Sequence, residues 1–285
     1  MTGDALPFTK GHGTENDFVL LMDENGSIDL SPALVRALCD RRAGIGGDGV
    51  LRAVRAGRID AGADYAPDIW FMDYRNADGS TAEMCGNGAR VFAAFLEREA
   101  GEDFTDGTVI GTRGGAHQVT ALGGGRYSVD MGPWSLARSD GEVAVRGWDP
   151  RPATSVDMSN PHVVISAVTL EELASANLAV EPAIDPAREA GANVEVVVPR
   201  DVVGERGSLA MRVYERGVGE TRSCGTGACA AALAAHAWAG DDSPRVWDVE
   251  VPGGIVVVRI EDDRTVLEGP AVLVADGLID LTSLA

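Results

Sequence analysis

Two segments of this chain are near copies of one another, and they constrain the fold more than any other feature. They are residues 85–89 (CGNGA) and 224–228 (CGTGA), each followed by an apolar run that predicts a helix. Each cysteine would therefore stand at a helix N-terminus, where unpaired N–H groups and the helix dipole lower the pKa of a thiol. Two such thiols on matched halves indicate a pair that faces one substrate from opposite sides.

The duplication extends well beyond the two cysteine segments. An asparagine precedes each cysteine, by 69 residues in the first half and by 64 in the second, and a Gly-Gly pair follows each by 29. The matched positions, in chain order, are Asn16 and Asn160, Tyr74 and Tyr214, Gly114 and Gly253, and the Gly-Pro steps at 132–133 and 269–270. The chain is therefore expected to be a tandem duplication of roughly 130 to 140 residues per copy.

Composition excludes several classes of partner and cofactor. A net charge of −20 disfavours nucleic acid and anionic membranes as partners. We expect no membrane span, no signal peptide and a cytoplasmic protein. We also expect no metal and no cofactor. The four histidines lack ligand spacing, the chain has no phosphate-binding loop motif, and Lys10 is the only lysine that could hold pyridoxal phosphate.

The cysteines differ in what they are expected to do. Cys39 and Cys229 are predicted to be small buried apolar residues. For Cys85 and Cys224 the alternative is a tight strand-to-helix turn that carries an incidental cysteine, but retention in both halves favours function. His117 and His236 are expected to be structural or surface residues.

The pattern of short apolar runs predicts an α/β fold in each half. Many short strands accompany one long apolar helix, which suggests a curled sheet or barrel wrapped around that helix, twice. A first strand is expected near Lys10, and Ser31 and Thr169 are predicted to cap short helices. The other predicted strands are 18–22, 50–54, 69–74, 108–110, 117–121, 127–131, 163–165, 194–198, 210–214, 246–251, 254–260 and 265–268.

Two longer segments resemble the signatures of a known family. Residues 76–80 (NADGS) with 83–90 (EMCGNGAR) resemble the first cysteine signature of the diaminopimelate epimerases, and 214–227 resembles the second. The resemblance implies two pseudo-symmetric α/β domains, each a curled mixed or antiparallel, barrel-like sheet around a central helix, with the active site in the interdomain cleft. It places the domains at 1–130 plus 271–285 and at 131–270.

The resemblance also implies a function and roles for particular residues. The family interconverts LL-2,6-diaminopimelate and meso-diaminopimelate without a cofactor, in lysine and peptidoglycan-precursor biosynthesis, and a homodimer is implied. One thiolate removes the α-proton and a thiol delivers a proton to the other face, with Cys85 as donor and Cys224 as acceptor. His162 and Glu215 would set the ionisation of these thiols. The implied substrate contacts are Asn16, Asn76, Gly86, Asn87, Asn160, Asn193, Glu215, Arg216, Gly225 and Thr226.

Two departures from the family pattern and several alternatives stay open. Gly49 stands where the family often has glutamine, and Val91 replaces a further cysteine. A proline racemase-like enzyme also uses two cysteines, but its substrate has no distal charged group for Arg216 to bind. A phenazine-biosynthesis-type isomerase shares the fold without the cysteine pair. A thiol redox sensor, or a binding module that leaves both thiols unexplained, are the non-isomerase alternatives.

Overall fold

The computed structural model describes residues 5–240 and 243–284, without the side chains of 138–140, 283 and 284. The chain forms two compact units, Met1–Val129 with Pro270–Ala285, and Asp130–Gly269. In the described part of the chain, no helix is long and apolar enough to cross a membrane.

Four α-helices and eighteen strands are present in the described residues. The helices are α1 (Pro32–Cys39), α2 (Gly86–Ala100), α3 (Leu170–Ser175) and α4 (Gly225–Ala239). The strands are β1 (Ala5–Gly13), β2 (Asn16–Met22), β3 (Gly49–Arg55), β4 (Trp70–Asn76), β5 (Thr108–Thr112), β6 (Gly115–Gly123), β7 (Arg126–Asp130), β8 (Ser135–Ala144), β9 (Arg151–Asp157), β10 (Pro161–Ser166), β11 (Ala183–Asp185), β12 (Asn193–Val203), β13 (Arg206–Glu215), β14 (Gly219–Thr221), β15 (Val246–Val251), β16 (Gly254–Ile260), β17 (Thr265–Pro270) and β18 (Val272–Asp280).

The first unit is one mixed sheet in the order β18-β1-β2-β3-β4-β5-β6-β7. The pairs β2–β3 and β4–β5 are parallel, and the other pairs are antiparallel. Each parallel pair needs a crossover connection, and here α1 and α2 lie in the two crossovers. Long helix α2 packs against β1, β2, β3 and β18 of this sheet.

The second unit repeats this topology strand by strand. Its order is β8-β9-β10-β12-β13-β15-β16-β17, with β10–β12 and β13–β15 parallel, and β11 and β14 added to β8 and β13. Helices α3 and α4 lie in its two crossovers, and α4 packs on β9, β10, β12 and β16. The predicted fold of two duplicated mixed α/β sheets, each with a central helix, is confirmed. Among the described pairings neither sheet closes on itself, so each is an open sheet rather than a barrel.

Both long helices begin at the predicted cysteines because each thiol caps its own helix. The Cys85 sulfur accepts the Gly88 N–H at 3.3 Å, and the Cys224 sulfur accepts the Gly227 N–H at 3.4 Å. The Ala-rich second helix is buried from Gly225 to Ala235 apart from Thr226, as its lack of a polar face predicts. Side-chain capping of α1 by Ser31 and of α3 by Thr169 is likewise confirmed.

The sequence pattern missed the outer strand of each sheet, β8 and β18, and also β9, β11 and β14 of the second unit. Strand β9 corresponds to β1, and the outer strand β8 corresponds to β18, which pairs with β1 from Ala5 opposite Asp280 to His12 opposite Val272. Strands β8 and β18 each follow a Gly-Pro step, so they are also the same element of the two sequence copies. Strand β18 is largely exposed, and an exposed strand lacks the regular apolar alternation that reveals a half-buried one.

A buried charge cluster fixes the middle of the first sheet. Asp73 on β4 is completely buried and accepts hydrogen bonds from Arg52, Arg75 and Arg113, at 2.9, 2.9 and 2.6 Å. Burial by itself would raise the pKa of Asp73. The hydrogen bond from Arg75 and the charges of Arg52 and Arg113 outweigh burial and lower it. The carboxylate is thus held ionised between β3, β4 and the turn after β5.

Candidate active-site residues

In the first unit, Cys85 faces a pair of buried asparagines. Its partly exposed thiol donates to Asn16 Oδ1 at 3.6 Å, and Asn87 Nδ2 donates to the same oxygen at 3.3 Å. Arg90, on the next turn of α2, donates to Asn87 Oδ1 at 2.6 Å. Three of the predicted site residues, Cys85, Asn16 and Asn87, are therefore brought together by the start of β2 and the first turn of α2.

Asp48 determines which way the Asn16 amide points. Its carboxylate accepts a hydrogen bond from Asn16 Nδ2 at 2.8 Å and one from the backbone N–H of Asp17 at 3.2 Å. With the amide nitrogen engaged there, the carbonyl oxygen is left to face the Cys85 thiol. Asp17 is in turn bound by the only lysine, Lys10, and by Arg41, with a 2.7 Å contact to Arg41 Nη2. Asp48 was not among the residues predicted from the sequence, although it lies in the Gly-rich segment 44–49.

Asn76 lies at the end of β4, directly opposite Gly49 on β3. Its side chain donates to Ser80 Oγ at 3.0 Å. A Cβ atom on Gly49 would lie 2.4 Å from the Arg75 carbonyl oxygen and 2.6 Å from the Tyr74 ring. A side chain such as the glutamine common in the family would therefore not fit at position 49 without a backbone shift. At this end of the paired strands β3 and β4, the polar side chain comes from Asn76 instead.

In the second unit, Cys224 is buried beside carboxyl groups, and this changes its expected ionisation. Helix position by itself predicts a lowered pKa for this thiol, but its pKa is raised well above the usual range. Burial is the main cause, and the negative charge of Glu215 adds to it, so that together they outweigh the hydrogen bonds from Thr226 and Gly227. The expectation of an easily formed thiolate is thus wrong for Cys224 in the substrate-free chain.

Glu215 is a buried carboxyl group next to the Cys224 thiol. Its carboxylate forms hydrogen bonds with the Thr221 hydroxyl and with the Cys224 thiol. Burial raises the pKa of Glu215, and these two hydrogen bonds partly offset that rise. Glu215 therefore lies next to the thiol whose ionisation it was expected to set.

His162 and three polar side chains form a cluster behind the Cys224 helix. His162 is fully buried on β10, with Nδ1 2.7 Å from Glu195 Oε1 and Nε2 3.0 Å from Asn160 Oδ1. Asn193 Nδ2 is 3.5 Å from the same Nε2, and its Oδ1 accepts the backbone N–H of Arg216 at 2.9 Å. Parallel pairing of β10 with β12, in the register that sets His162 beside Asn193, brings the predicted residues 160, 162 and 193 together.

Arg216 extends from the end of β13 with an exposed side chain. One guanidinium nitrogen donates to the Ala190 carbonyl at 2.8 Å, which holds the guanidinium group near the segment that precedes β12. The remaining donors of a guanidinium suit a carboxylate.

Gly225 and Thr226 form the first turn of α4, as Gly86 and Asn87 form that of α2. The helical bonds begin with the N–H groups of Ala89 and Ala228, so the preceding N–H groups point out of each helix end.

The structure adds Glu195 to the residues that the sequence indicated. Glu195 was not among the predicted site residues, yet it is fully buried on β12 against Gly227 of the cysteine helix. One signal could have identified it, namely a lone acidic residue within the apolar run Val194–Val198. Among the described residues, no group of three or more His, Cys, Asp or Glu side chains is arranged to bind a metal ion.

Comparison with solved structures shows the fold. The chain aligns with a phenazine biosynthesis protein of the PhzF family from Enterococcus faecalis at a TM-score of 0.69, with 15% identity, over 96% of this chain and 99% of that one. It also aligns with a probable proline racemase from Agrobacterium radiobacter, at a TM-score of 0.62 with 14% identity, over 97% and 93% of the two chains. This duplicated fold, with a cysteine at the start of each long helix and epimerases among its relatives by sequence, defines the chain as an isomerase.

Sequence comparison gives the particular family. The family described as diaminopimelate epimerase matches residues 8–137 and 154–274. The diaminopimelate epimerase of Streptomyces coelicolor is 48% identical over 96% of both chains, and that of Thermobifida fusca is 48% identical over 98% of this chain and all of the other. The chain belongs to the diaminopimelate epimerase family, which confirms the resemblance drawn from the two cysteine segments.

Proposed function

We propose that this protein interconverts LL- and meso-2,6-diaminopimelate by two-base proton transfer at the α-carbon. The observation that carries the proposal is the matched pair of cysteine caps, Cys85 on α2 and Cys224 on α4, in a chain 48% identical to curated diaminopimelate epimerases. Inversion needs a proton removed from one face and another delivered to the opposite face. Two thiols can do this without returning the proton to the face it left.

The first turns of the two helices stabilise the negative charge that develops during proton removal. The outward-pointing N–H groups around Gly86 and Asn87, and around Gly225 and Thr226, are suited to the α-carboxylate, whose charge rises as the carbanion forms. At the other end of the substrate, the Arg216 guanidinium is suited to the distal carboxylate. Asn16, Asn76, Asn160 and Asn193 supply neutral hydrogen-bonding groups.

The raised pKa of Cys224 implies that substrate binding triggers its ionisation. Without substrate, burial together with the charge of Glu215 keeps the proton on the thiol. A substrate ammonium group placed near Glu215 would offset that charge and lower the pKa of Cys224, so that the thiolate forms when there is a proton to remove. Cys224 then acts as the acceptor and Cys85 as the donor, with the roles reversed for the opposite direction.

The test is conversion of LL-diaminopimelate in deuterium oxide, with reduced protein and no added cofactor. We expect the meso form to appear with deuterium at the inverted centre, and we expect neither Cys85→Ala nor Cys224→Ala to epimerise. Cys229→Ala, five residues further along the same helix, is the matched control and should remain active. Failure of the reduced wild-type protein to exchange or invert the substrate would refute the proposal.

We further propose, from the family resemblance, that the protein acts as a cytoplasmic homodimer in lysine and peptidoglycan-precursor biosynthesis. Sedimentation equilibrium at micromolar concentration measures the oligomeric state. A mass near that of a single 29.7 kDa chain would contradict the homodimer. Cell fractionation tests the compartment, where recovery in the membrane or external fraction would contradict it.

A further inference from the structure

Glu195 has an environment that does not suit an ionised carboxylate. Its side chain is fully buried on β12, and its Oε1 lies 2.7 Å from His162 Nδ1. Its Oε2 is buried with no hydrogen-bond partner among the described residues. Burying an ionised carboxylate oxygen away from water and without a hydrogen-bond donor costs folding free energy. In a neutral acid the same oxygen is a carbonyl oxygen, and only an uncharged lone pair is left without a partner.

The other side of the His162 ring indicates where the shared proton resides. Nε2 lies 3.0 Å from Asn160 Oδ1, an acceptor, which requires a proton on Nε2. Asn193 Nδ2 is 0.5 Å further away, at the limit of a hydrogen bond. If the neutral ring carries its proton on Nε2, then Nδ1 is an acceptor, and its partner Glu195 must be the donor.

We propose that Glu195 is a protonated acid that donates to His162 Nδ1 and so holds the imidazole as the Nε2–H tautomer facing Asn160. The pair is then neutral, with a single proton between Oε1 and Nδ1. Burial raises the pKa of Glu195, and the opposing effect of His162 is smaller, which agrees with this assignment. Glu195 acts through His162 and is therefore a positioning residue.

The consequence for Cys224 rests on the proposed function. The titratable groups that face the thiol are Glu215, Glu195 and, behind them, His162. An ionised Glu195 would add a second negative charge against the thiolate, while a neutral one leaves Glu215 as the single opposing carboxylate. Keeping Glu195 protonated therefore makes the thiolate at Cys224 easier to form when substrate arrives.

The location of the proton can be measured directly in the wild-type protein. Two-bond proton–nitrogen correlation spectra of the ¹⁵N-histidine-labelled chain report which ring nitrogen is protonated, with His162→Gln identifying the signals of His162. At pH 7 we expect Nε2 protonated and Nδ1 bearing a lone pair. A proton on Nδ1, alone or together with one on Nε2, would overturn the proposal.

A charge readout complements the spectrum. The rate of iodoacetamide modification of Cys224, followed against pH by peptide mass spectrometry, reports the thiolate fraction. Glu195→Gln replaces a neutral donor with another, so its profile should superimpose on the wild-type profile. Glu215→Gln removes a real charge and should shift its profile to lower pH. A shift for Glu195→Gln as large as that for Glu215→Gln would overturn the proposal.

Turnover separates positioning from mere packing. Glu195→Met fills the space without a donor, so we expect kcat to fall on the order of 10- to 100-fold, as for a small misplacement of a catalytic group. Glu195→Gln should recover most of that loss, and a Gln variant as impaired as the Met variant would contradict the neutral-donor role. The spectrum and the modification profile need no substrate. A chain that failed to epimerise diaminopimelate would therefore refute the proposed function while the proton on Glu195 could still be located.

Discussion

Two equivalent glycines, Gly88 and Gly227, should respond in opposite ways to substitution by alanine. Both are the third residue of a cysteine-capped helix, and each donates its N–H to the sulfur of its own cap. At Gly227, an added Cβ would lie 2.7 Å from Glu195 Oε1 and 3.3 Å from Cys224 Sγ. At Gly88, no neighbour would be closer than 3.4 Å, and Cys85 Sγ would be 3.6 Å away.

These distances set the expected magnitudes. An added Cβ at Gly88 would make only ordinary van der Waals contacts, whereas one at Gly227 would lie closer to a carboxyl oxygen than real Cβ atoms lie to any neighbour. Overpacking of a buried site costs about 1–3 kcal/mol, while alanine in place of a helical glycine contributes about 0.5–1 kcal/mol of stability. We expect Gly88→Ala to be neutral or stabilising, and Gly227→Ala to be less stable than Gly88→Ala by about 1–3 kcal/mol.

Thermal unfolding of the two variants beside the wild type measures this contrast. A difference of 1–3 kcal/mol corresponds to a gap of several degrees in Tm, at roughly 2–4 °C per kcal/mol. Because Gly227→Ala pushes on Glu195 and Cys224, its epimerase activity should also fall more than that of Gly88→Ala. Equal stability and equal activity of the two variants would refute the inferred contact between the Cys224 helix and the buried carboxyl group.

Three further substitutions test the charge relations within each unit. Asp73→Asn should lower the free energy of unfolding by about 3–5 kcal/mol in urea titration, because it leaves buried arginines without their anion. The lowered pKa of Asp73 means that its stabilisation is present above the unfolded-state value near 3.9 and is lost as pH falls through the lower folded-state value. Glu215→Gln should speed alkylation of Cys224 at pH 7, by about tenfold for each unit by which the pKa falls. Asp48→Ala should reduce kcat by on the order of 10- to 100-fold, because the Asn16 amide is then free to turn.

Each of these substitutions has a matched control. Asp276→Asn removes an exposed carboxylate paired with Arg98 and should change stability little. Equal losses for Asp276→Asn and Asp73→Asn would contradict the buried cluster. Glu250→Gln, on an exposed strand position, should leave Cys224 alkylation unchanged, and an equal acceleration would contradict the local charge effect. Asp48→Asn keeps an acceptor for Asn16 and should recover activity, whereas no recovery would contradict the orienting role.

Several features of the fold follow from local sequence. The two cysteine helices, their caps and most strand positions are encoded in short patterns, since apolar periodicity and capping chemistry act over a few residues. The duplication was equally visible, because the spacing of the glycines and asparagines survives in the chain. The same signals identified Cys85 and Cys224 as candidates, whereas the asparagine set followed from the resemblance to the diaminopimelate epimerases.

The tertiary structure determined which strands pair and how the candidate side chains ionise. Strand β18 pairs with β1 although the paired residues Thr9 and Asp276 are 267 positions apart in the sequence, and no local pattern specifies so distant a partner. Helix position predicts a lowered pKa for the Cys224 thiol, but burial and the neighbouring charge of Glu215 raise it. The sequence by itself thus determined which residues stand at the two helix ends, while packing decided their charge, because burial and neighbouring carboxylates depend on the assembled sheet.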